Sequence, residues 1–231
     1  MTQDPEDALN ISLDLLQIGK ELKRSEASSI FEVEIEGTRY AMKVFHDNGD
    51  PGFTEKGRDL NRFRCELRAY RNLRRFGVCD RGSVPYYHGY FDQLDPAQLA
   101  PHLNHYMEDI NNPSVILLEY LEGTEELNCV NYSDDSFQIA LRGLQDIHSA
   151  LVHHDIYPKN ILIVRGPPER RETPERVVWI DFNVAMTFTD KQSISWKEEE
   201  YFNYEMKLAA SFGDLLREDQ KEGLPPNTKF Y

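Results

Sequence analysis

Leu151-Val-His-His-Asp-Ile-Tyr-Pro-Lys-Asn-Ile-Leu-Ile163 decides how this chain is read. The stretch lies between a helical pattern and a short apolar strand. It carries Asp155 and Asn160, five residues apart, on the connecting loop. A second apolar strand ends in Ile180-Asp-Phe-Asn183 and delivers Asp181 to its tip. Three oxygen-bearing side chains are thus brought to loop and strand ends, as a magnesium–phosphate site requires, because hard cations take oxygen ligands.

The elements around this stretch follow from period and punctuation. Upstream, Ser133 is a good N-cap and Asp134 and Asp135 suit a first turn, so a helix is expected to about Ala150. Downstream, residues 161–164 and 177–180 read as strands joined by a polar loop with three prolines, 165–176. A helix from about Trp196 to Leu216 and a loose tail, 223–231, complete that half. The first half reads as β structure. Residues 30–35 alternate apolar and charged, Glu36-Gly37 turns, and 39–45 follows as a second strand. Residues 58–76 form a helix with Phe63, Leu67, Tyr70 and Leu73 on one face, and strands follow at 84–91 and 115–121. Between the last two, 92–113 is expected to be an inserted loop with a short helix at most. Lys43 falls within a strand, and Glu66 is placed on the inward helix face to supply its counter-charge.

Composition narrows the classes. The 231 residues include 40 acidic and 26 basic side chains, a net charge of −14. That field disfavours nucleic acid and anionic membrane as partners. At 40% hydrophobic and 29% charged, the chain has globular usage. No apolar run is long enough for a membrane span, and the acidic start is unlike a signal peptide. Cys65, Cys79 and Cys129 have no C-x-x-C spacing, so they read as reduced thiols of a cytoplasmic or nuclear protein. The sequons at Asn10 and Asn131 then carry no meaning.

Taken together, these segments resemble the protein-kinase-like family. Tyr40-Ala-Met-Lys43 resembles its V-A-I-K strand, and Glu66 its helix glutamate. His153-His-Asp-Ile-Tyr-Pro-Lys-Asn160 resembles H-R-D-L-x-x-x-N, Asp181-Phe-Asn183 resembles D-F-G, and Leu117 to Gly123 resembles the fifth strand and hinge. Five fragments in the right order over about residues 13–190 are far more specific than any one alone. The resemblance implies an α+β, bilobal protein-kinase-like fold. Its β-rich N-lobe would span 1–121 and its reduced α-helical C-lobe 122–231. It implies ATP and Mg2+ as cofactors. Lys43 would grip the α- and β-phosphates, oriented by Glu66. Asp155 would accept the proton of the attacking hydroxyl, and Lys159 would neutralise the transferring phosphoryl. Asn160 and Asp181 would hold the metal, and the backbone of Glu119 and Leu121 would hold adenine.

The departures from the family pattern set further expectations. The glycine-rich loop is replaced by residues 18–29, with Gly19 alone, so nucleotide affinity should be weak and that loop mobile. His154 stands for the arginine of H-R-D and Asn183 for the glycine of D-F-G. Fifty residues follow Asp181, with no A-P-E among them. The same reduced pattern is similar to aminoglycoside and choline phosphotransferases and to RIO-type kinases. It points to a small-molecule hydroxyl acceptor, a cationic one given Glu198, Glu199 and Glu200, over a protein acceptor. The competing class is a pseudokinase that serves as a binding or scaffold module. Arg58, Arg62, Arg64, Arg68, Arg71, Arg74 and Arg75 make either a solvated face or a docking surface for an acidic partner. Trp196, Tyr201, Phe202 and Tyr204 read as packing residues and not as a ligand cage. His102, His105 and the His153-His154 pair lack zinc spacing.

Overall fold

Alternating side chains build the first sheet. The computed structural model describes residues 7–55, 57–165, 175–188 and 196–226. Strands β1 (Leu16–Arg24), β2 (Ser28–Ile35) and β3 (Thr38–Phe45) pair antiparallel, with Phe31 opposite Met42 and Val33 opposite Tyr40. Glu36 and Gly37 both take positive φ, 51° and 79°, the turn whose twist matches a two-residue hairpin. Helix α1 (Arg62–Arg75) and a single turn, α2 (Val78–Arg81), precede β4 (Tyr87–Phe91) and β5 (Ser114–Glu119). The sheet order is β1-β2-β3-β5-β4, so the last strand in sequence lies inside the sheet. Phe31, Val33, Met42, Val44 and Leu117 form its core. β1 is largely exposed: of its alternate apolar residues only Leu16 is buried, Ile18 packs partly against the core, and Lys20 interrupts the pattern before Leu22.

The segment 92–113 is more than a loop. It makes two 3₁₀ turns, and Leu94, Leu99, Leu103 and Tyr106 join the sheet's core. The Tyr106 hydroxyl accepts from the Ser29 amide and donates to the Val44 carbonyl, both at 2.9 Å. Asp109 takes the His46 ring at 2.8 Å.

The second half is helical around two small β elements. Helix α3 (Asp134–Ile147) starts at Ser133, whose hydroxyl accepts from the Ser136 amide. β6 (Thr124–Glu126), β8 (Ile161–Val164) and β9 (Arg176–Trp179) form one sheet, while β7 (Leu151–Val152) pairs with β10 (Met186–Thr187). Trp179 is buried against α3, its indole N–H donating to the Ala140 carbonyl at 2.8 Å. Helix α4 (Trp196–Glu222) runs past the expected end at Leu216 as far as Glu222. It stops where Gly223 adopts φ 67° and the Leu224 and Gly223 amides close on Asp219 and Gln220, a Schellman ending. The expected loop 165–176 and tail 223–231 lie largely outside the described residues. Among the described residues no helix is long and apolar enough to cross a membrane.

The fold is therefore mixed α+β, with a five-stranded antiparallel sheet and, among the described residues, four α-helices. Contacts divide the chain into two compact units, 1–67 with 86–120 and 68–85 with 121–231. A single cut after Leu121 does not describe this division. The second half of α1 and the turn after it belong with the later residues: Asn72 donates to the Ala150 and Phe188 carbonyls, and Arg176 to those of Gly82 and Val84.

Candidate functional site

In the first unit, strand register turns Met42 into the core and Lys43 to the opposite face. There the Lys43 ammonium meets the Glu66 carboxylate at 2.6 Å, with side chains 5% and 1% exposed. Desolvating two charges costs several kcal/mol, so a pair this deep gives little net stability. Glu119, at the end of β5, is engaged with Tyr86 twice. Its amide donates to the Tyr86 carbonyl at 2.8 Å and its carboxylate accepts the Tyr86 amide at 3.0 Å. The Glu119 amide is thereby already committed within the unit and is not available as a donor toward adenine. Leu121, half-buried, lies in the coil after β5.

The expected phosphate loop is corrected by β1. Strand takes residues up to Arg24, which leaves only Ser25, Glu26 and Ala27 to turn. The Ser25 hydroxyl accepts the Ala27 and Ser28 amides at 3.3 and 3.1 Å and donates to the Ser28 carbonyl. Ser28 and Ser29 are buried. This is a closed turn in which the Ser25, Ala27 and Ser28 amides are bound internally.

In the second unit, β7 leads into the loop 153–160. His153 is fully buried between the Trp179 and Phe182 rings. Its Nε2 donates to the Ile180 carbonyl at 3.2 Å and its Nδ1 accepts the Asp155 amide at 3.3 Å, which fixes the neutral tautomer. Burial holds its pKa below the ordinary value. Asn160, also buried, donates its amide nitrogen to the Asp155 carbonyl and carboxylate at 2.8 and 2.9 Å. Its backbone carbonyl accepts the Ile180 amide, so the loop is tied to the strand end that carries Asp181.

Two non-glycine residues here are left-handed, His154 (φ 66°) and Asp181 (φ 65°). Such conformations cost about 1–3 kcal/mol and persist where neighbours over-determine them. The left-handed residue is Asp181 and not Asn183, so no glycine is needed at 183. Lys159 sits on the 3₁₀ turn Pro158–Asn160, its ammonium 5.5 Å from the Tyr157 ring centre.

What holds the strained turn was missed from sequence. Glu205 of α4 is buried, and its carboxylate accepts the His154 amide at 2.6 Å, the His153 amide at 3.2 Å and His148 Nε2 at 2.8 Å. Burial pushes its pKa up, but the His148 and His154 bonds outweigh this and hold it below the ordinary carboxylate value. A signal was present: Glu205 stands in register with Ala209, Phe212 and Leu216, the buried stripe of α4. An acid on an apolar stripe calls for a partner.

As metal ligands, Asn160 and Asp181 offer an amide and a carboxylate oxygen, a set that suits Mg2+ completed by phosphate and water. Among the described residues no cluster of three or more His, Cys, Asp or Glu could hold a metal alone. The arginines of α1 are largely occupied: Arg64 binds Asp59 and Asp50 at 2.8 Å, and Arg62, Arg68, Arg71 and Arg75 are engaged as well. No family model matches the chain, and no curated protein matches it.

Proposed function

We propose that the chain is an ATP- and Mg2+-dependent phosphotransferase whose two units are the lobes of a reduced protein-kinase-like fold. The observation that carries this reading is the Lys43–Glu66 pair. An ion pair only a few per cent exposed brings little net stability, whereas an oriented ammonium is what a triphosphate needs. The Asp155–Asn160 contact and the left-handed Asp181 support it independently.

In this reading Lys43 binds the α- and β-phosphates, and Asn160 and Asp181 hold the Mg2+ that neutralises charge on the phosphates. Asp155 receives the proton of the acceptor hydroxyl as its oxygen bonds to the γ-phosphorus, the bond to the β-phosphate oxygen breaks, and ADP leaves. Lys159 offsets charge on the transferring group. The rate gain rests on positioning and electrostatics.

The closed Ser25 turn favours a second reading, a pseudokinase that binds partners without turnover. Thermal-shift titration with ATP and Mg2+, followed by ATP turnover of the wild type beside Asp155→Asn and Asp181→Ala, separates the two. The enzyme reading expects a raised midpoint and turnover that both variants abolish. Binding without turnover supports the pseudokinase, and neither result in the wild type overturns the kinase-like assignment of these residues.

A further inference from the structure

The first turns of α4 display aromatic surface that packing does not explain. Trp196 is 64% exposed, Tyr204 63% and Tyr201 44%, against the expectation that they fill a core. With Tyr157 they line a cavity of about 660 Å³ within the second unit, edged by Glu200 and Lys197. That volume suits a small molecule.

We propose that this cavity binds a small organic cation of the methylammonium type, held against the ring faces and balanced by Glu200. Aromatic faces attract cations through the ring quadrupole. Two of these rings already do so: the Lys197 ammonium lies 5.8 Å from the Trp196 ring centre, and that of Lys159 5.5 Å from Tyr157. A lysine ammonium is strongly hydrated, so it gives way to a methylated cation that loses less water on entering. Glu205 also borders the cavity, but its carboxylate is committed to His148 and the 153–154 amides. Glu198 and Glu199, in the first turn of α4, answer the positive end of the helix dipole, so the helix start does not turn the cavity toward anions. The net charge of −14 draws cations generally.

The site touches the strained loop as well. His154 meets Tyr201 edge-on at 5.3 Å, so an occupant borders the residue before Asp155. The inference does not depend on phosphate transfer, since it concerns binding alone.

The test is isothermal titration of the full chain with tetramethylammonium chloride and, separately, with tert-butyl alcohol, a neutral molecule of similar shape, at constant ionic strength. Saturable binding of the cation is expected, with the alcohol about tenfold weaker or worse. Trp196→Ala and Tyr204→Ala should each weaken the cation about tenfold. Glu200→Gln should weaken it less. Lys197→Ala should tighten it, because a competing ammonium has been removed. All four positions are exposed, and circular dichroism verifies that the variants are folded. Absence of saturable binding to the wild type, or equal binding of cation and alcohol, overturns the proposal. So does weakening by Lys197→Ala with no effect of Trp196→Ala, the pattern of an anion site.

Discussion

Replacing Glu205 by glutamine tests what supports the loop 153–160. Three donors converge on its two oxygens: the His153 and His154 amides and His148 Nε2. Glutamine keeps one acceptor oxygen and turns an NH2 toward the other side, so at least one buried donor faces a donor. An unsatisfied buried donor costs about 1–3 kcal/mol, and hydrogen bonds to a charged acceptor contribute about 1.5–3 kcal/mol each. A loss of about 3 kcal/mol follows, or about 6–12 °C of melting temperature at this chain length.

The deficit depends on pH. The Glu205 carboxyl is held below its ordinary 4.5, so above that pH it is ionised in both folded and unfolded chains, and its contribution is complete. As pH falls, the unfolded chain takes up the proton first, and the contribution is lost on descending through the folded value. The gap between wild type and Glu205→Gln should therefore narrow below about pH 4.5. Circular dichroism melts across pH, with amide hydrogen exchange at residues 153 and 154, measure both effects. A variant that melts within about 2 °C of wild type, with unchanged exchange at both amides, would refute the reasoning.

Further outcomes follow from particular contacts. In Gly213→Ala the new Cβ would clash with Cε1 of the buried Phe137 ring. Overpacking of about 1–3 kcal/mol then outweighs the gain of about 1 kcal/mol in helix propensity, and a melting temperature at or above wild type would count against the α3–α4 packing. Lys43→Met removes the ammonium that faces the buried Glu66 carboxylate and should cost about 3–5 kcal/mol. Adding Glu66→Gln should recover most of that stability without restoring the ATP-induced thermal shift, and joint recovery would deny Lys43 a nucleotide role. Ser25→Gly frees the Ala27 and Ser28 amides from their internal acceptor, so ATP should shift the melting midpoint more than in wild type. An equal shift would mean that this turn does not limit binding.

The periodic parts of the fold were legible. The β2–β3 hairpin could be read from alternation and Glu36-Gly37, and α3 from its cap and apolar face. β1 was not, because its one apolar face, Leu16, Ile18 and Leu22, is interrupted by Lys20 and only its first residue is buried. The insert's 3₁₀ turns are held by tertiary contacts, such as the Tyr106 hydroxyl, that leave no local period. At the site, the pairing of Lys43 with Glu66 was readable from strand parity and helix face. The closed turn at Ser25 was not, since its geometry depends on where β1 ends. Trp196, Tyr201 and Tyr204 were misread as core because residue type suggests burial, whereas neighbouring structure decides it.

The sheet order also has a consequence for synthesis on the ribosome. β1, β2 and β3 emerge together, yet the strand that pairs with the open edge of β3 is β5, which begins at Ser114. Until then the nascent chain carries an apolar hairpin with an unpaired edge, the kind of surface that recruits stray strands. The far end of that hairpin is also incomplete until residue 106 arrives, because the Ser29 amide and the Val44 carbonyl share the Tyr106 hydroxyl. The first unit therefore closes late, only once the strand that ends at Glu119 is available to pair with β3. A ribosome stalled shortly before Ser114 should hold a protease-sensitive chain, and one stalled well past residue 120 a protected one.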